Sequence, residues 1–333
     1  MSYKMNGKKR KPIVLVIILT ISLCINGSLT QAAARNDFLA AIRSVDSRFL
    51  AQERITNIEE TEIGSPYGET KLVEFRRFET TLGYAIFIDG ILVEFAEAPS
   101  PFDLFALGGD ELFFYDFSGY CSISKENYEL IKANQKHNIA TLARNEGYQL
   151  RASSKTLTGV SPQLQGNYNC IICALSHIIT YWRGHGYPAL AYGLTFDNLM
   201  AALTNRYAVL YGSGAAFAND NVLGLAQSYA SFVGAYFSGG ANWNPNVSTV
   251  YNEIILNYPC MVGFAAGSSY SSTVGHMTMC YGYNYTGMYL YMNLADGHST
   301  SMVTKLWTYY NDCVIVLHPY YFSVVSRSLC KPL

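Results

Sequence analysis

Apolar positions Phe38, Leu39, Ile42, Val45, Phe49 and Leu50 recur at helical spacing behind Asn36 and Asp37, which suit a helix start. After the polar stretch 59–70 the period changes to two. Residues 71–78, 84–88 and 91–95 then predict strands, the last two joined by Asp89-Gly90, a dipeptide suited to a two-residue hairpin turn. Pro99-Ser100-Pro101 breaks the run, 111–117 predicts a further strand and 125–143 a helix. Residues 147–164 carry no clear period and read as a linker. The second half begins with an apolar helix, 170–183, stopped by Gly184, Gly186 and Pro188. Thr195-Phe196-Asp197 opens a helix over 198–206, and 221–232 and 249–256 are also helical in pattern. Strands follow at 260–265, 276–282, 288–293, 302–307 and 313–317. Helices first and an antiparallel sheet afterwards, behind a smaller mixed unit, predict an α+β fold with segregated halves.

Composition sharpens the division. Half of the 333 residues are apolar and 27 are Tyr, enough for a sizeable core, and the length suits two domains. Formal net charge is −1, which gives no electrostatic reason to expect nucleic acid or an anionic membrane as partner. Residues 35–164 hold 13 basic and 19 acidic side chains, whereas 165–333 hold five of each. The N-terminus has the form of an export signal. Lys4, Lys8, Lys9, Arg10 and Lys11 precede a short apolar stretch, 12–25, and Gln31-Ala32-Ala33-Ala34 supplies a small-residue cleavage site. The expected layout is therefore a signal peptide (1–34), an α+β prodomain (35–146), a linker (147–164) and a catalytic domain (165–333). Such a chain would be secreted or held at the cell surface, with no stable membrane insertion after signal removal. Of eight Cys, Cys24 would leave with the signal. The odd remainder, irregularly spaced, argues against a disulfide framework and leaves room for one reactive thiol.

Two segments carry the chemistry. Gln165-Gly166-Asn167-Tyr168-Asn169-Cys170 opens the apolar helix, and Gly275-His276 begins a strand about a hundred residues later. A Cys at a helix N-terminus meets free N–H groups and a partial positive charge, both of which favour the thiolate. Cys173 and His177 would lie on one face of the same helix among Ile172, Ala174, Leu175, Ile178 and Ile179, as packing residues. They leave open Cys173 as the nucleophile instead of Cys170, a C-x-x-C redox pair, or a metal site with His177, for which two further ligands are missing. Among six His, His276 alone lies in a strand-like apolar run; His137, His185, His298 and His318 have polar or loop surroundings. A base needs an acceptor on its other ring nitrogen. Asn293, at the end of the next strand, is preferred to Asp296, which sits in the turn Ala295-Asp296-Gly297.

The set Gln165…Cys170…Tyr181…Tyr187-Pro188, with Gly275-His276…Tyr281-Gly282-Tyr283 and Tyr289…Asn293, resembles the papain-like cysteine peptidases of bacteria, nearest the streptopain-type and bacteriocin-leader-peptidase-like branches. The resemblance covers about residues 160–320. It implies a papain-like fold and a precursor that hydrolyses peptide bonds. Cys170 would be nucleophile, His276 base, Asn293 orienter and Gln165 oxyanion donor. The partners would be a peptide or protein substrate and the chain's own prodomain as inhibitor, with neither metal nor organic cofactor required. The rivals are a Cys–His acyltransferase or cell-wall amidase, and an inactive binding or adhesion protein on the same scaffold.

Overall fold

The computed structural model describes residues 37–51, 54–104, 107–117, 119–133, 154–265, 275–286, 289–308 and 311–321. The signal-like segment and the linker residues before 154 lie outside these. Met1–Ser47 and Arg48–Leu333 are two compact units. The first contributes one described helix, α1 (37–45), shorter than its periodicity predicts. Phe49 and Leu50 lie beyond it in the second unit, where Phe49 meets Phe75 and Phe95 edge-on, with ring centroids 5.6 and 5.3 Å apart.

The second unit is α+β, built on a large antiparallel sheet. Its N-terminal half holds β1 (Asn57–Ile63), β2 (Thr70–Arg77), β3 (Thr80–Ile88) and β4 (Ile91–Ala96). A separate hairpin, β5 (Glu111–Asp116) and β6 (Gly119–Ser124), is followed by α2 (Lys125–Ala133). Strand β1 occupies part of the stretch expected to be a polar connection, because Glu59, Glu60 and Glu62 conceal an edge strand. Asp89 and Gly90 both take positive φ, 48° and 77°, as a two-residue hairpin turn requires.

The C-terminal half adds β7 (Ser154–Thr156), α3 (Cys170–Gly184), α4 (Phe196–Tyr211), α5 (Val222–Ser231), β8 (Ala235–Trp243) and α6 (Val247–Ile255). It ends with β9 (Cys260–Phe264), β10 (His276–Tyr285), β11 (Leu290–Ala295), β12 (Val303–Leu306) and β13 (Asn311–Tyr321). Strand β7 lies inside the segment expected to be a linker and pairs with the far end of β10. No described helix is long and apolar enough to cross a membrane.

The strand order is β1-β2-β3-β4-β12-β11-β10-β9-β13-β8, so one sheet runs through both halves. The junction is antiparallel pairing of β4 with β12: Ala96 opposite Val303, Phe95 opposite Thr304, Glu94 opposite Lys305. The Tyr291 hydroxyl ties the halves again, donating to the Leu92 carbonyl at 3.0 Å. The compositional shift near residue 150 therefore marks no break in the sheet.

Candidate active site

Helix α3 starts at Cys170 because Asn169 caps it. The Asn169 side-chain oxygen accepts from the Ile171 N–H at 2.9 Å, a cap whose loss costs a typical helix about 1 kcal/mol. Its apolar body, from Ile171 to Trp182, is almost wholly buried and packs on β10. That packing carries the Cys170 thiol to the start of β10, beside His276, in the same cleft wall and close enough for the two groups to shift each other's titration. Burial alone would raise the Cys170 pKa. The His276 hydrogen bond and charge, with the Met277 and Ile171 N–H groups, outweigh it and hold the thiol below its ordinary value.

His276 is buried, and its Nε2 lies 3.0 Å from the Asp296 carbonyl and 3.3 Å from Asp296 Oδ1. Nε2–H therefore points at Asp296 and leaves Nδ1 for the thiol. Desolvation would lower the ring's pKa, but the Asp296 charge and hydrogen bond and the Cys170 interaction prevail, raising it to about 9. Asp296 is also buried, yet held well below the usual carboxylate range. Lys305 opposes the burial penalty most strongly, followed by His276 and the His298 hydrogen bond.

Asn293 does not orient His276, contrary to the sequence-based preference. Its Nδ2 donates to Thr156 Oγ1 at 2.9 Å, and its Oδ1 accepts from Asn284 Nδ2 at 2.9 Å and Thr304 Oγ1 at 3.2 Å. The reason is strand geometry. Cross-strand partners share a face and successive residues alternate. Asn293 lies opposite Gly282 and Thr304, whereas Leu294 lies opposite Cys280, on the face that carries His276. Asp296, two residues on from Leu294, continues that face.

Gln165 is brought to the site. Its N–H donates to the Gly297 carbonyl at 2.8 Å, its carbonyl accepts from Tyr168, and its side chain lines the same cleft as Cys170 and His276. The Oε1 atom is buried without a protein partner. Gly297 (φ 87°) makes this approach possible, since a Cβ there would lie 3.1 Å from Gln165 Oε1.

Cys173 and His177 pack instead. Burial, with the Asp296 charge, pushes the Cys173 thiol up to about 12, and burial drops His177 to about 4. The neutral His177 bridges two backbone groups, Nε2 accepting from the Gln163 N–H at 3.0 Å and Nδ1 donating to the Cys173 carbonyl at 3.0 Å. It thus anchors the strand-like approach to Gln165. The described cysteines 121, 170, 173, 260, 280 and 313 are all free.

Sequence reasoning missed six residues here. His298 donates Nδ1–H to Asp296 Oδ1 at 2.6 Å, and its ring centroid is 4.6 Å from that of His276. Lys305 Nζ lies 3.0 Å from Asp296 Oδ2 and 3.2 Å from Glu94 Oε2, all three side chains being fully or almost fully buried. Tyr84 and Tyr115 donate to Glu94 at 2.6 and 3.0 Å, and Tyr120 donates to it as well. Donor atoms of His276, Asp296 and His298 lie within 4.8 Å of one another, a spacing that suits a metal ion. The Lys305 ammonium against the same carboxylate supplies the positive charge there and opposes a divalent cation.

A cleft of about 660 Å³ opens over Cys170 and His276. Tyr168, Phe217, Trp243 and Phe264 give it aromatic walls, Asp220 and Asp312 its acidic groups, and Gly119 with Tyr120 one side from the N-terminal half. No protein-family model matches this chain and no curated protein matches it.

Proposed function

We propose that the protein is a papain-like cysteine peptidase, exported by its N-terminal signal and acting outside the cell on peptide or protein substrates. One observation carries the reading: a helix-start thiol and a buried imidazole line one cleft, and the imidazole is in turn held by a buried carboxylate. The raised His276 and lowered Cys170 pKa values favour a thiolate–imidazolium pair near neutral pH. The thiolate attacks the scissile carbonyl carbon, forming the C–S bond, and the carbonyl oxygen becomes an oxyanion. The Cys170 N–H and the Gln165 amide hold that oxyanion, a role typically worth about 3 kcal/mol per donor. His276 Nδ1–H then protonates the departing amine as the C–N bond breaks. Water deprotonated by His276 releases the acid and restores the thiol. Asp296 keeps the ring oriented and stabilises its cation. The helix-then-sheet arrangement, with Cys on α3 and His on β10, supports the papain-like assignment, as does the motif resemblance.

A peptidyl epoxide or vinyl sulfone tests the reading, together with hydrolysis of a fluorogenic peptide library. The expected result is probe attachment at Cys170, abolished by Cys170→Ala and kept by Cys173→Ala, with hydrolysis following the same pattern. Amine incorporation without hydrolysis would favour the acyltransferase. No labelling and no turnover would favour a binding protein.

A further inference from the structure

We infer that the N-terminal half is a resident part of the enzyme and that its Glu94, through Lys305, is a positioning residue for the Cys170–His276–Asp296 site. The inference deepens the peptidase reading and rests on Cys170 as the reactive thiol. Glu94 and Lys305 are directly opposed at the β4–β12 junction, and no solvent reaches either side chain. Lys305 in turn reaches Asp296 Oδ2 at 3.0 Å, while Asp296 Oδ1 meets His276. A carboxylate with two oxygens can thus be gripped from one side by Lys305 and present the other oxygen to the ring. Lys305 thus lies between two buried carboxylates, Asp296 and Glu94, and the His276 imidazolium supplies the second positive charge. Three tyrosine hydroxyls then saturate Glu94, Tyr84 from β3, Tyr115 from β5 and Tyr120 from β6. The chain of contacts therefore starts on strands of the N-terminal half and ends at the thiol.

Among the described residues, the charged and titratable groups around His276 are Cys170 and Cys173 from α3, Asp296 and His298 after β11, Lys305 from β12, and beyond it Glu94 with its tyrosines. This set gives the two charges opposite signatures. Removing the Glu94 anion makes the surroundings less negative, so thiolate formation and imidazolium loss both move to lower pH. Removing the Lys305 cation moves both to higher pH. A side chain that only fills space would move neither.

The experiment measures the rate of Cys170 alkylation by iodoacetamide against pH, with peptide mapping, in the full chain and in Glu94→Gln, Lys305→Met and the double variant. Glu94→Gln should shift the midpoint down and Lys305→Met should shift it up, each by roughly one pH unit. The double variant should return near the parent. Glu94→Gln keeps an acceptor for the tyrosines, and the double variant leaves no lone buried charge at the junction, so these two decide the matter if Lys305→Met fails to fold. A midpoint unmoved in folded Glu94→Gln overturns the inference, and that silence is also what a shed N-terminal half would produce. Because alkylation needs no substrate, shifted midpoints without peptide hydrolysis would sink the peptidase reading and leave the positioning role standing.

Discussion

Asn293 and His276 stand on opposite faces of the β10–β11 ladder, although both lie on neighbouring antiparallel strands. The amide closes a buried network with Thr156, Asn284 and Thr304, and the carboxylate three residues later takes the ring.

The two residues should therefore separate cleanly in mutagenesis. Asp296→Ala should lower kcat by roughly two to four orders of magnitude, about 1.4 kcal/mol of barrier per tenfold, because the imidazole loses the carboxylate charge that holds it and keeps only the backbone carbonyl of residue 296. Asn293→Ala should leave kcat of the folded protein within severalfold. Its cost falls on stability, about 1–3 kcal/mol, since Asn284 and Thr304 lose a buried partner. Urea unfolding and steady-state kinetics on both variants check this. A dead but stable Asn293→Ala would contradict it.

The pH dependence follows from His276. Its folded pKa, about 9, lies above the ordinary value of 6.5. The stability that this charge brings is thus fully present below about 6.5 and lost as pH rises through about 9. Turnover should keep its alkaline limb near 9 for the same reason. Asp296→Asn retains a hydrogen-bond acceptor and removes the charge, so that limb should move to lower pH. Full pH–kcat/KM profiles decide it; an unmoved limb would mean that the carboxylate charge does not hold the imidazolium.

Gly297 offers a test of the oxyanion side. Its φ of 87° disfavours any Cβ, and the Cβ of Gly297→Ala would press on Gln165 Oε1. Displacing that amide should lower kcat roughly tenfold or more with little change in KM, since the contact strengthens only in the transition state. Gln165→Ala should produce a drop of the same kind. An effect confined to KM in both variants would make Gln165 a substrate-binding residue instead.

Much of this fold was legible. The helix at Cys170 was marked by an apolar run ending at Gly184, Gly186 and Pro188, and strands β2–β4 and β9–β13 by alternation or apolar runs. Strand β8 stayed hidden because Gly239 and Gly240 interrupt it. Gly239 is required there, since a Cβ would fall 2.0 Å from the Val316 carbonyl oxygen of β13. The choice between Asn293 and Asp296 was not legible. It depends on the face each residue takes, set by the register of β10 against β11 and its irregularity between Cys280 and Gly282. Glu94 and Lys305 did leave a signal. Each is a lone charge inside an otherwise uncharged strand, and such a charge, once buried, implies a partner of opposite sign that only the fold identifies.

The last prediction concerns processing. The sequence leads one to expect an inhibitory segment that must leave before the enzyme works. In the folded chain, Gly119 and Tyr120 form one wall of the cleft, and among the described residues a space of about 660 Å³ lies over Cys170 and His276 with strands β1–β6 in place. Removing that half would strip β12 of its β4 partner and leave Lys305 without Glu94. Breaking a buried ion pair from one side costs about 3–5 kcal/mol, a large share of the stability of any single domain. The polypeptide should therefore turn over substrate with its N-terminal half retained, even if the backbone between Ala133 and Ser154 is nicked. Native mass spectrometry of the active fraction checks this: the expected species contains the fragment bearing Glu94, bound to the fragment bearing Cys170. An active species lacking residues 48–133 would restore the disposable prodomain and remove Glu94 from the working enzyme.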